Sequence, residues 1–91
     1  LRCHRALFAA ELAEVRATQA RGGVPARVYV QRSEQQQELV PLNVAVLRYG
    51  RMGGTAALRQ QLGLQPGDVV AVRLDEQGRR VVARYRLPLL G

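Results

Sequence analysis

Arginine is the residue whose type and spacing give this chain its chemistry. There are 14 basic residues in 91, every one an arginine, against 7 acidic ones. A guanidinium is a planar fork that pairs bidentately with a phosphate or with guanine O6/N7. The chemistry on offer is therefore recognition of a polyanion. Two groups stand out. Arg21 and Arg27 flank Gly22-Gly23-Val24-Pro25, and Arg48, Tyr49 and Arg51 follow the longest apolar alternation. Gln19 and Asn43 lie near these groups in sequence and carry amides that can pair with adenine. A lone arginine is by default a solvated side chain; it is the grouping that points to a binding role. A third set, Arg80, Arg84 and Arg86, falls on one side of an alternating segment and reads as a solvated outer face, with phosphate contact as the lesser alternative.

The formal net charge is +7. A GC-rich gene favours arginine over lysine, but it does not account for the excess of positive charge. That excess suggests a polyanionic partner, nucleic acid first; the plainer alternative is compensating acidic segments elsewhere in a longer parent. Residues for other chemistry are few. Cys3 and His4 are adjacent, and no second Cys or His exists to complete a tetrahedral metal set. Ser33 is the single serine, without a base nearby in sequence. There is no paired acidic cluster and no phosphate-cradling glycine loop, so no catalytic constellation, metal site or cofactor is expected. Tyr29, Tyr49 and Tyr85 are too spread to form a single-strand stacking platform, and Tyr85 reads as core or interface. One cysteine forms no internal disulfide and favours a reducing compartment.

The elements that must position the arginines follow from the apolar periodicity. Leu1 to Ala6 reads as a short strand or an arm. Leu7 to Gln19 is rich in helix formers, and Phe8, Leu12 and Val15 fall at i, i+4 and i+7 on one face. Glu11 and Glu14 near its start and Arg16 near its end suit the helix dipole. Arg21 to Pro25 breaks the helix, and Ala26 to Gln31 reads as a strand with Val28 and Val30 on one face. Ser33 to Gln37 is an exposed polar connection. Glu38 to Tyr49 is the longest strand candidate, with Pro41 marking an edge, a bulge or a meeting of two strands. Arg48 to Gly54 is a basic, glycine-rich connection. Leu58 and Leu62 share a helical face, Thr55 is placed to cap that helix and Gly63 to end it. Pro66-Gly67-Asp68 reads as a type II turn, Val69 to Leu74 as a mostly buried strand, and Asp75 to Gly78 as a hairpin loop. On the return strand, Arg79, Val81, Ala83, Tyr85 and Leu87 point one way, and Arg80, Val82, Arg84 and Arg86 the other. Pro88 ends it.

Ninety-one residues make one domain. The chain lacks an initiator Met and reads as a piece of a longer protein. Its hydrophobic fraction of 47% supports a globular fold, and no apolar run approaches the roughly 20 residues that span a bilayer. The order of helix, strands, short helix and hairpin predicts a mainly β fold with two short helices, a small open β-barrel or an α+β arrangement.

The string YGRMGGTAALRQQLGLQPGDVVAVRL, Tyr49 to Leu74, resembles the second half of the plant B-three DNA-binding domain of auxin response factors and abscisic-acid-insensitive factors. Leu64, Gly67, Asp68 and Val70 match its leucine, Gly-Asp turn and strand. Phe8 and Leu12 resemble its opening apolar residues, and Ala20 to Arg27 its basic run into a Val/Ile-Pro step. Gly53-Gly54 stands where the family has Gly-Trp, the central tryptophan is absent, and the opening segment is more helical. The resemblance implies a DNA-binding pseudobarrel. Arg21 and Arg27 would form an arm entering the major groove, and Arg48, Tyr49 and Arg51 a second arm, with Gln19 beside the first. It also implies transcription regulation in the nucleus. LRQQLGLQPGDVVAV is similar, too, to the AbrB-type swapped-hairpin domain of bacterial regulators, which also binds DNA. The expected partner is double-stranded DNA, with no membrane and no small-molecule substrate. The rival expectation, from another class, is a non-enzymatic protein-interaction or assembly module.

Overall fold

The computed structural model describes residues 4–19, 21–33, 35 and 38–85. Five strands and two helices follow in the order α1 (Ala9–Thr18), β1 (Val24–Gln31), β2 (Leu39–Val46), β3 (Met52–Gly53), α2 (Ala56–Leu62), β4 (Val70–Leu74) and β5 (Arg80–Arg84). The fold is mainly β: one mixed sheet, ordered β3-β2-β1-β5-β4, curls into a half-barrel. β1 lies at its centre. It runs antiparallel to β2 over all eight residues, from Val24 opposite Val46 to Gln31 opposite Leu39, and parallel to β5.

Alternation decides which side of the sheet is core. Val24, Ala26, Val28 and Val30 are buried, while Pro25 and Arg27 are exposed. On that inner side Val30 stands in register with Val40 and Val82, and Val82 with Val72. Phe8 and Leu12 of the α1 segment and Leu58 and Leu62 of α2 complete the cluster. Each such side chain contributes roughly 1.5–3 kcal/mol on full burial.

α1 is shorter than the expected Leu7–Gln19. Phe8 is its N-cap and Gln19 its left-handed C-cap. Upstream, the Phe8 N–H donates to the His4 carbonyl (3.0 Å), so His4 to Phe8 is a turn into the helix, not a strand; Leu1 to Cys3 lie outside the described residues. β1 begins at Val24, two residues earlier than expected, because Val24 and Pro25 pair with Val46 and Ala45. β2 ends at Val46; Arg48–Gly50 is a 3₁₀ turn, so the expected strand to Tyr49 stops short. Pro41 is on an edge, since β3 pairs with β2 only at Ala45 and Val46. The basic connection itself carries a strand, β3.

Thr55 is the N-cap residue of α2, as expected, but its side chain makes no capping hydrogen bond; its Oγ1 accepts from Arg59 Nε at 3.4 Å. Gly63 ends the helix at φ 61°. Gly67 (φ 90°) makes the expected turn, with the Asp68 N–H on the Gln65 carbonyl at 3.0 Å. The largest departure is β4. It is the sheet's outer strand, and Val69 and Leu74 are 59% and 53% exposed, so the β-branched run that reads as buried lies half in solvent. Tyr85 is 50% exposed and is not core. Arg86, Leu87 and Pro88 lie outside the described residues.

Candidate nucleic-acid interface

Three arginines of the β4–β5 hairpin, Arg79, Arg80 and Arg84, are each matched with an acid, while Arg73 of β4 donates to Gln31 Oε1 at 3.2 Å. Contrary to the solvated outer face expected of the β5 stripe, Arg80 is partly buried, whereas Arg84 is exposed and Arg86 lies outside the described residues. Val82 is in the core cluster, and its neighbour in the stripe, Arg80, reaches back to α1. Arg80 holds Glu11 with both terminal nitrogens, Nη2 donating to Oε1 at 2.7 Å, and lies 4.5 Å from the Phe8 ring centre. Arg84 pairs with Asp68 (2.9 Å). On the other face Arg79 pairs with Asp75 (2.6 Å) and covers the Tyr29 ring. Asp75 also accepts the backbone N–H groups of Gln77 and Arg79 at 2.9 and 2.8 Å. Partial desolvation pushes its pKa up, but these bonds and the Arg79 charge outweigh that and hold it below the ordinary value.

A second population of arginines has no acid partner among the described residues. Two pieces of backbone bring it together: the α1–β1 connection and the tip of the β2–β3 hairpin. In that hairpin Val46 faces Met52, and the Leu47 N–H donates to the Arg51 carbonyl at 2.7 Å. Arg48, Tyr49 and Gly50 are left as the tip. Tyr49 (φ 63°) and Gly50 (φ 75°) are both left-handed, and Tyr49 is 83% exposed. Gln19, the C-cap of α1, is also left-handed at φ 52°. Leu47 ties the two pieces. A Cβ on Gly23 would lie 2.6 Å from the Val46 carbonyl oxygen and 2.7 Å from Leu47 Cδ2, and one on Gly53 3.2 Å from Leu47 Cδ1. Glycine on both sides is what lets the Leu47 side chain sit there.

The result is an open cavity of about 540 Å³ lined by Gln19, Arg21, Leu47, Arg48, Tyr49 and Arg51. Five of the six residues singled out in the sequence thus meet at one place. Arg27 does not line it: it is exposed on β1 and donates to Asn43 Oδ1 across the β1–β2 pair at 3.3 Å. Among the described residues, no ion pair involves Arg21, Arg48 or Arg51, and no acidic side chain lines the cavity. Sequence reading missed Leu47 and the two glycines around it. Their signal was weak: two Gly-Gly pairs about 30 residues apart, and Leu47 at the end of the Leu39–Pro41–Asn43–Ala45 alternation. Among the described residues no group of three or more His, Cys, Asp or Glu forms, and no helix is long and apolar enough to cross a membrane. No protein-family model, curated protein sequence or solved structure matches this chain.

Proposed function

We propose that this domain binds double-stranded DNA, as the DNA-binding part of a transcription regulator. One observation carries the reading. Arg21, Arg48 and Arg51, far apart in sequence, line one open cavity with Gln19 and Tyr49 and with no acid beside them. Unpaired guanidiniums at a concave surface favour phosphate, and any of them that reaches a base edge adds preference for sequence. Arg27, with Asn43, is left as a contact outside the cavity.

Fluorescence anisotropy with random-sequence duplex at two salt concentrations tests this, with single-stranded DNA and an acidic polymer as controls. Contact with about 4–6 phosphates gives a slope of log K against log salt of roughly −4 to −5. Equal weak binding to all three polyanions would mean that net charge alone is at work. A protein-interaction module is the second reading. The half-exposed Val69, Leu74 and Tyr85 along the β4 edge favour it. It gains if DNA binding is absent or indifferent to salt and a protein partner is lost on Leu74→Lys.

A further inference from the structure

Tyr49 is an odd residue for a phosphate site. It is the most exposed large apolar side chain among the described residues. It stands at a tip whose left-handed backbone favours glycine or asparagine. The other non-glycine residue with positive φ among those described is Gln19, and it lines the same cavity. Strained, exposed side chains gathered at one place are characteristic of ligand clamps. A phosphate can accept from the phenol O–H but makes no use of the face of the ring. The cavity, at about 540 Å³, falls in the roughly 300–1,000 Å³ range of sites that enclose a small molecule. It is therefore roomy for a nucleotide, not just for one phosphate.

We infer that Tyr49 stacks on an unstacked base whose flanking phosphates are held by Arg21, Arg48 and Arg51, so that the preferred partner is duplex DNA carrying an unpaired nucleotide. The inference rests on the duplex-binding reading and deepens it. In an intact duplex both faces of every internal base are covered by neighbours, so an aromatic ring must open a step at a cost of a few kcal/mol, which a base already out of the stack spares it. Every base has such a face, which makes the contact tolerant of sequence. The Gln19 amide, which also lines the cavity, supplies a donor and an acceptor for the base's exposed edge.

The test uses two duplexes of equal length, one intact and one with a single bulged 2-aminopurine, against the 91-residue chain and its Tyr49→Phe and Tyr49→Gly variants. The wild type should bind the bulged duplex about 5- to 160-fold more tightly, the range of one base–aromatic stack, and quench the 2-aminopurine fluorescence. Tyr49→Phe should keep both effects. Tyr49→Gly should lose both. Because glycine relieves the left-handed backbone, its Tm should not fall, which separates loss of stacking from loss of fold. Equal affinity of the wild type for the two duplexes would overturn the inference and leave duplex binding standing. A preference that survives in Tyr49→Gly would overturn it equally. Absence of salt-dependent binding to either duplex would remove the duplex reading, and the inference with it.

Discussion

Arg80 and Asp75 show how far a residue's surroundings change what its type suggests. In sequence Arg80 belongs to a basic stripe; in the fold it is the partner of Glu11, 69 positions away, and it lies over Phe8. Both members of the pair are mostly shielded, with 21% and 13% of their side chains exposed. Removing one leaves the other charge in a poorly hydrated place. Arg80→Leu should therefore destabilise the domain by about 1.5–3 kcal/mol, the range for a broken hydrogen bond to a charged group. Adding Glu11→Leu should restore part of that stability, a sign of coupling that urea denaturation of the single and double variants will read. Asp75 acts through pH. Its pKa in the folded state lies below the unfolded value, so its contribution is fully present above the unfolded pKa of about 3.9 and is lost as pH falls through the folded one. The expected result is a carboxyl titration midpoint below the usual carboxylate value, with amide protection at Gln77 and Arg79 fading over the same range. Asp75→Asn should remove that pH-dependent part of the hairpin's stability.

The sharpest contrast between elements lies in the two adjacent glycines before β1. Gly23 has φ 80°, and a Cβ there meets the Val46 carbonyl oxygen at 2.6 Å; Gly22 has nothing within 4 Å. Gly23→Ala should destabilise by about 1–3 kcal/mol, combining left-handed strain with a backbone clash. Gly22→Ala should be neutral, or stabilise by a few tenths of a kcal/mol up to about 1 kcal/mol through the unfolded chain. Paired thermal melts will separate the two. The same pair of glycines marks what was legible. Both announce a break, but which one the next strand crowds depends on β2, over 20 residues on. Period-2 alternation found β1 and β2, and the i, i+4 pairs found the buried faces of α1 and α2, because these patterns are local. The exposure of β4 was not legible: Val69 to Leu74 has the composition of a buried strand, and only the strand order puts it at an edge. The 3₁₀ turn and β3 were hidden in a run of arginine and glycine. That run lacks alternation, so nothing in it signals a two-residue pairing. Gln19, Arg21, Arg48, Tyr49 and Arg51 were visible as residue types, whereas their convergence needed the β2–β3 hairpin.

Charge is partitioned across the molecule as a whole. Glu11, Asp68 and Asp75 are each tied to an arginine of the β5 hairpin, so those three guanidiniums are neutralised locally. The cavity carries Arg21, Arg48 and Arg51 without acids. If duplex DNA is bound there, the place of a charge should matter more than the total. Replacing Arg21, Arg48 and Arg51 together by Gln lowers the formal charge from +7 by three. Replacing the exposed Arg32, Arg59 and Arg73 by Gln lowers it by the same amount, with those three outside the cavity lining. Both triples should keep the fold, since none of the six residues is buried or ion-paired among the described residues. Every phosphate that the protein no longer neutralises flattens the slope of log K against log salt by about 0.9. The cavity triple should therefore flatten it by roughly 2 to 3 units, and the charge-matched triple by well under one. Equal flattening in the two would mean that DNA senses only the domain's net charge, and the cavity would no longer be the interface.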